Sequence, residues 1–149
     1  MEMVLFIGIQ ATGKSEFYKR SFYKTHMRIN LDMLRTRNRE SIFLDTCIRA
    51  KQPFVVDNTN PTKEDRQKYI ELAKNAGFAI TGYYFRSGIK ETLARNEQRT
   101  GKECVPRQAL LATHAKLELP RLDEGFDSLH YVFINADGNF VVEDYTDEV

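Results

Sequence analysis

Eight residues near the N-terminus have the types and the spacing needed to hold a polyphosphate. The segment from Gly8 to Ser15 reads Gly-Ile-Gln-Ala-Thr-Gly-Lys-Ser, which is the pattern G-x-x-x-x-G-K-S. Glycines let the backbone curl so that several N–H groups point at one anion, and the helix that follows adds partial positive charge. Lys14 can reach the β- and γ-phosphates, and the Ser15 hydroxyl can bind Mg²⁺. The pattern predicts binding of ATP and Mg²⁺, with a nucleotide-binding set of Gly8, Gln10, Ala11, Thr12, Gly13, Lys14 and Ser15.

A carboxylate and an arginine follow the second predicted strand. Asp32 is expected near the carboxyl end of the sheet, on the same side as the phosphate loop. There it can act as a general base and accept the proton of an attacking hydroxyl. A helix would put Arg35 on the same face as Asp32, where Arg35 could hold an anionic substrate with two hydrogen bonds. The alternative interpretation is an N-cap aspartate with a solvated arginine.

Another carboxylate ends the apolar run at 54–56. Asp57 stands where P-loop enzymes hold Mg²⁺, often through water. The side chains of Asn58, Thr59 and Asn60 are short and polar, and they are expected to contact the substrate. The alternative interpretation is an Asx-type turn leading into a helix at Pro61, which explains the asparagines but does not need Asp57.

Two arginines adjoin a glycine-containing loop in the second half of the chain. Arg95 and Arg99 are four residues apart and share a helical face beside the loop at 101–106. In a lid, such an arginine can close over the polyphosphate and neutralise charge that develops in the transition state. The alternative is a solvated helical face in which Glu91 pairs with Arg95.

The elements that must position these groups alternate between strands and helices. Short apolar runs predict strands at 4–7, 27–30, 54–56, 78–85, 129–134 and 140–142. Helices are expected over 14–24, 31–50, 61–76, 90–99 and 107–119, with a break in the second of them at the poorly amphipathic stretch 37–39. Thr62 and Asp65 are expected to form a capping box at the start of the third. This order predicts a three-layer α/β P-loop kinase fold with a mainly parallel central sheet flanked by helices. Residues 1–149 are expected to form one domain with a helical lid at about 95–118.

Composition and charge bear on where the protein is located and on what it attracts. No apolar run approaches the ~20 residues that a membrane span needs, and the N-terminus lacks the features of a secretory signal. Cys47 and Cys104 have no metal-binding spacing, so free thiols and a cytoplasmic location are expected. Residues 1–51 carry ten Lys/Arg and five Asp/Glu, whereas residues 116–149 carry two and nine. This asymmetry indicates a surface that attracts anions, or else a chance distribution over a solvated surface.

Together these residues resemble the 5′-hydroxyl polynucleotide kinase branch of P-loop proteins, including the kinase domain of polynucleotide kinase/phosphatases. The resemblance implies that Asp32 activates the 5′-OH, that Arg35 lies near the phosphate next to the attacked nucleoside, and that Arg99, with Arg95, contacts the ATP phosphates. The matching segments are Gly8 to Ser15, Asp32 with Arg35, Val55 to Pro61, Arg95-Asn96 with Arg99, Val105-Pro106 and Glu124 to Asp127.

Three functions remain open at this point. The first is a kinase acting on the 5′-OH end of DNA or RNA, and the second is a kinase of a small hydroxylated metabolite. The third is a non-catalytic nucleotide-binding module that signals through its lid. Tyr18, Phe22 and Tyr23 could stack on a base but are expected in the core.

Overall fold

A six-stranded sheet forms the centre of the protein. The structure is a computed structural model that describes residues 1–146, with all their side chains except that of Lys102. The strands are β1 Glu2–Ile7, β2 Met27–Ile29, β3 Phe54–Val56, β4 Ala79–Phe85, β5 Ser128–Ile134 and β6 Phe140–Asp144. They lie in the order β2-β3-β1-β4-β5-β6, and only β6 is antiparallel to its neighbour. The mainly parallel α/β sheet predicted from the sequence is confirmed.

Helices and short turns connect these strands. They are α1 Lys14–Ser21, α2 Leu31–Leu34, α3 Arg37–Ala50, α4 Lys63–Asn75, α5 Ile89–Glu97 and α6 Arg107–Lys116. Turns of 3₁₀ helix occupy Gly101–Glu103 and Leu122–Glu124. The predicted capping box is confirmed, because Thr62 Oγ1 accepts from the Asp65 N–H and the Asp65 carboxylate accepts from the Thr62 N–H. None of the helices within residues 1–146 is both long enough and apolar enough to cross a membrane.

The sheet is covered on both faces, as its continuous apolar strands require. Met3, Leu5 and Ile7 belong to one core cluster, whereas Val4 and Phe6 belong to the other, so β1 alternates between the two layers. Tyr18 and Phe22 pack in the second cluster as expected. The prediction was wrong for Tyr23, whose side chain is 70% exposed.

The segment 31–50 is broken as predicted, but the break falls at Arg35 and Thr36 and not at 37–39, which begins α3. Helix α2 ends at Leu34 because Arg35 has a left-handed φ of 75°. The Thr36 side chain then accepts from the Arg39 N–H and begins α3. Since Arg35 lies outside the helix, the prediction that Arg35 and Asp32 share one helical face was wrong.

Candidate functional site

The phosphate loop connects β1 to α1 and encloses the Lys14 side chain. Lys14 Nζ donates to the carbonyl oxygens of Gly8 at 2.9 Å and of Ile9 at 2.8 Å. The Thr12 hydroxyl also donates to the Ile9 carbonyl, which tightens the turn. Gly13 has a φ of 92°, and a Cβ at Gly8 would lie 2.9 Å from the Phe85 Cβ. The two glycines of the pattern are therefore required by backbone conformation and by a close approach.

The charge on Lys14 is set by its surroundings. The pKa of its ammonium is lowered from the ordinary value to about 8, chiefly by burial and to a smaller extent by the positive charge of Arg99. The carboxylates of Asp57 and Asp32 act in the opposite direction. All three predicted groups therefore lie near enough to Lys14 to act on its charge.

A cleft of about 900 Å³ opens beside the loop. It brings together groups from four parts of the chain, namely Lys14 and Ser15, Asp32, Asp57 and Arg99. Parallel strands carry their carboxyl ends to one edge of the sheet, which explains why residues after β1, β2 and β3 meet there. The cleft thus combines two cations, an exposed carboxylate and a buried carboxylate around one space.

An arginine that the sequence analysis did not select joins Ser15 to Asp57. Ser15 Oγ donates to Asp57 Oδ2 at 3.2 Å, so the two predicted metal ligands are adjacent. Arg28, in β2, donates through Nε to Asp57 Oδ2 and through Nη2 to Ser15 Oγ, both at 2.8 Å. A hydroxyl and a carboxylate are the kinds of oxygen ligand that Mg²⁺ takes. Within residues 1–146, no cluster of three or more His, Cys, Asp or Glu side chains could hold a metal ion.

The segment after β3 has both structural and cleft-facing members. Asn58 and Thr59 line the cleft, but Asn60 is 4% exposed and its amide donates to the Phe6 carbonyl at 2.8 Å. The Asn58 side-chain oxygen accepts from the Leu31 N–H at 2.9 Å, next to Asp32. The structure therefore gives Asn58 and Asn60 long-range contacts that hold the loop in place, a structural role that goes beyond the Asx-type turn expected as the alternative.

A buried carboxylate supports Asn58 from behind. Glu40 is 3% exposed and accepts hydrogen bonds from Asn58, from the Tyr69 hydroxyl and from Arg37. Burial, together with the charge of Glu40, raises the pKa of Tyr69 to about 12, so its hydroxyl remains a donor. The sequence offered no signal for this cluster, because its members come from two helices and a loop.

The two arginines of the predicted lid have different surroundings. Arg95 Nη1 donates to the Ala11 carbonyl at 2.7 Å and so connects α5 to the phosphate loop. Arg99 lines the cleft and donates to the Glu103 carbonyl at 3.3 Å. Gln10 contacts α6, the other helix of the predicted lid, through a 3.0 Å hydrogen bond from Nε2 to Thr113 Oγ1. Arg35 is exposed and does not line the cleft.

Comparisons with known proteins agree with this geometry. A family model described as AAA domain matches residues 35–120, which is more than half of the chain. The bifunctional polynucleotide phosphatase/kinase of Schizosaccharomyces pombe is 26% identical over 137 residues, covering 88% of this chain. The match spans about a third of that relative's length.

Solved structures share the fold. Chaetomium thermophilum Kti12, solved in complex with ADP-AlF3, matches with a TM-score of 0.67 at 16% identity, over 91% of this chain and 92% of that one. A gluconokinase from Sinorhizobium meliloti 1021 matches with a TM-score of 0.60 at 19% identity, over 87% and 82% of the two chains. With the fold, the phosphate loop and the family match in agreement, the chain belongs to the AAA domain family and resembles polynucleotide kinase-like P-loop kinases.

Proposed function

We propose that this protein is an ATP- and Mg²⁺-dependent kinase that transfers the γ-phosphate to the 5′-OH end of DNA or RNA. The observation that carries the proposal is the presence of Asp32, Lys14 and Arg99 in one cleft. Phosphoryl transfer needs an oriented nucleophile and positive charge around the phosphoryl group, and these residues supply both.

Each residue has one role in this proposal. Lys14, with the N–H groups of the loop, binds the β- and γ-phosphates, and Ser15 with Asp57 would hold Mg²⁺, whose charge neutralises phosphate oxygens. Asp32 accepts the proton of the attacking 5′-OH. Arg99 offsets the charge that develops on the transferred group, whereas Arg95 holds α5 of the proposed lid against the phosphate loop.

A polymeric acceptor is supported by a second pocket of about 230 Å³ beside the cleft. The two spaces share Leu31, Asn58 and Thr59, so an acceptor lying at Asp32 can continue into the pocket. Three cations on three helices line the pocket against one carboxylate; they are Arg37, Lys68 and Lys116, and the carboxylate is Asp65. A net positive lining suits the phosphodiester groups of a nucleic acid. The similarity to polynucleotide phosphatase/kinase supports the same acceptor.

The test is transfer of labelled γ-phosphate from ATP to 5′-OH oligonucleotides of DNA and RNA. We expect label at the 5′ end, with Asp32→Asn lowering the rate at least about a hundredfold while ATP affinity stays within about twofold. Label transfer to sugars but to no oligonucleotide would favour the small-metabolite kinase. Nucleotide binding without transfer to any acceptor would favour the non-catalytic module.

A further inference from the structure

The two oxygens proposed for Mg²⁺ are both engaged by one guanidinium. Nε of Arg28 lies 2.8 Å from Asp57 Oδ2, and Nη2 lies 2.8 Å from Ser15 Oγ. The Ser15 hydroxyl donates to the same Asp57 oxygen at 3.2 Å. A permanently charged group therefore bridges the oxygens that a hard cation would use.

The carboxylate in this contact is buried, whereas the guanidinium is partly exposed. The Asp57 side chain is 2% exposed and that of Arg28 is 26% exposed. Arg28 in β2 is paired with Val55 of β3, and Val55 lies two residues before Asp57. The pairing of the two strands therefore places the arginine near the carboxylate. A carboxylate with so little access to water needs a cationic partner, and Arg28 provides it.

Two cations cannot both use Asp57 Oδ2 without strong repulsion, because like charges a few ångströms apart interact strongly in a partly buried site. Arg28 has a second partner nearby, since its Cζ lies 6.0 Å from the centre of the Tyr18 ring. A guanidinium can stack on an aromatic ring, so Arg28 can release Asp57 without entering bulk water.

We propose that Arg28 is a built-in competitor for the divalent cation at Ser15 and Asp57. It neutralises Asp57 and supplies positive charge for the nucleotide phosphates in the absence of metal, and it releases Asp57 when a metal–nucleotide complex binds. Nucleotide affinity then responds less to Mg²⁺ than it would without this arginine. The inference rests on the nucleotide- and metal-binding part of the proposed function and does not depend on the acceptor.

The experiment measures the dissociation constant of a non-hydrolysable ATP analogue by calorimetry, once with excess EDTA and once with Mg²⁺. In Arg28→Gln, the ratio of the metal-free to the Mg²⁺ constant should rise at least about tenfold, because coupling between two ligands is reciprocal. Mn²⁺ should bind the analogue-saturated variant about tenfold more tightly by electron paramagnetic resonance. Arg20→Gln is the matched control, because Arg20 is exposed and pairs with Glu16 on α1; its ratio should equal that of the wild type.

The outcomes separate the inference from the function on which it rests. An unchanged ratio in folded Arg28→Gln overturns the inference alone, whereas a wild-type protein that binds no nucleotide overturns both. Arg28→Lys covers the case in which Arg28→Gln does not fold. One ammonium cannot span both oxygens as the guanidinium does, so an intermediate ratio supports the inference and a wild-type ratio contradicts it.

Discussion

Arg66 and Glu124 form a two-point ion pair inside the protein, with Nε 2.8 Å from Oε1 and Nη2 3.1 Å from Oε2. Their side chains are 0% and 1% exposed. The third nitrogen, Nη1, donates to the carbonyl oxygens of Asn60 and Pro61. The pair therefore connects the turn at 122–124 to the loop that follows Asp57, and it holds in place Asn60 and Pro61, which line the second pocket.

Removing one partner of this pair should destabilise the protein strongly. Glu124→Gln leaves the Arg66 charge buried without its carboxylate, and we expect the free energy of unfolding to fall by roughly 3–5 kcal/mol. Urea denaturation monitored by circular dichroism measures the change. Asp123→Asn is the control, because Asp123 is an exposed partner of Arg121 and its replacement should leave the midpoint unchanged. Equal midpoints for Glu124→Gln and wild type would mean that the pair does not stabilise the fold.

Asn58 should affect the rate of phosphoryl transfer by keeping Asp32 in position. Its side-chain oxygen accepts from the Leu31 N–H at the start of α2, and its amide donates to Glu40. Asn58→Ala removes both contacts, so Asp32 is held less accurately and kcat should fall about tenfold, while the dissociation constant for ATP stays the same. Steady-state kinetics with a 5′-OH oligonucleotide provides the measurement. Asn75→Ala, at the exposed end of α4, is the control. A weaker ATP affinity with unchanged kcat would contradict this role.

Replacing Arg95 should mainly affect nucleotide binding, whereas replacing Arg99 should mainly affect the rate of transfer. Arg95 connects α5 to the Ala11 carbonyl of the phosphate loop, so Arg95→Ala should weaken ADP and ATP binding to a similar extent. Arg99 lines the cleft, and Arg99→Ala should lower kcat by about a hundredfold or more with little change in ADP affinity. Fluorescence titration of ADP and single-turnover transfer distinguish the two results. The assignment of separate roles fails if both variants lose ADP affinity equally and keep the same kcat.

Much of the fold could be predicted because the signals were local. The apolar runs at 54–56 and 79–85 are followed by polar or glycine-containing turns, and the Thr62–Asp65 box marks the start of α4. The φ of Arg35 was not predictable in this way, since a left-handed conformation at an arginine has no local sequence signature.

Candidate site residues could be selected from the sequence where a single segment of the chain carries the chemistry. Gly8 to Ser15 form one continuous segment, the phosphate loop and the first two residues of α1, so their spacing alone indicates a phosphate site. Arg28, Glu40 and Arg66 were missed because their partners lie far away in the chain, and only the sheet order and the helix packing bring them together. A charged residue in an edge strand or on a helix is ordinarily solvated, so the sequence gives no reason to select it.

Nucleotide affinity should fall in mildly alkaline solution. The pKa of Lys14 is lowered to about 8 by burial, so its ammonium loses its proton as the pH rises through that value. Only the protonated form attracts the phosphates, and above the pKa each pH unit should therefore weaken ATP binding by up to about tenfold. Calorimetry at about pH 7, 8 and 9 would show nearly equal affinity below the pKa and the loss above it. Adenosine, which has no phosphates, is the control ligand. A decline that is equally steep for adenosine would assign the effect to some other group.

Acceptor binding should depend on the cations of the second pocket. Lys68 and Lys116 line this pocket from α4 and α6, and neutralising them removes two charges that can pair with phosphates. Lys68→Gln with Lys116→Gln should raise the KM for a 5′-OH oligonucleotide and reduce the slope of log KM against log salt concentration by up to about two, while the KM for ATP remains unchanged. Lys63→Gln is the matched control, because Lys63 is an exposed residue of α4 that does not line the pocket.

A 3′-phosphorylated mononucleoside with a free 5′-OH tests whether the two lysines act close to the attacked nucleoside or farther along the polymer. Since it has a single phosphate, its KM should change less than that of the oligonucleotide, and an equal change for both acceptors would place the two lysines next to the attacked nucleoside instead of along the polymer.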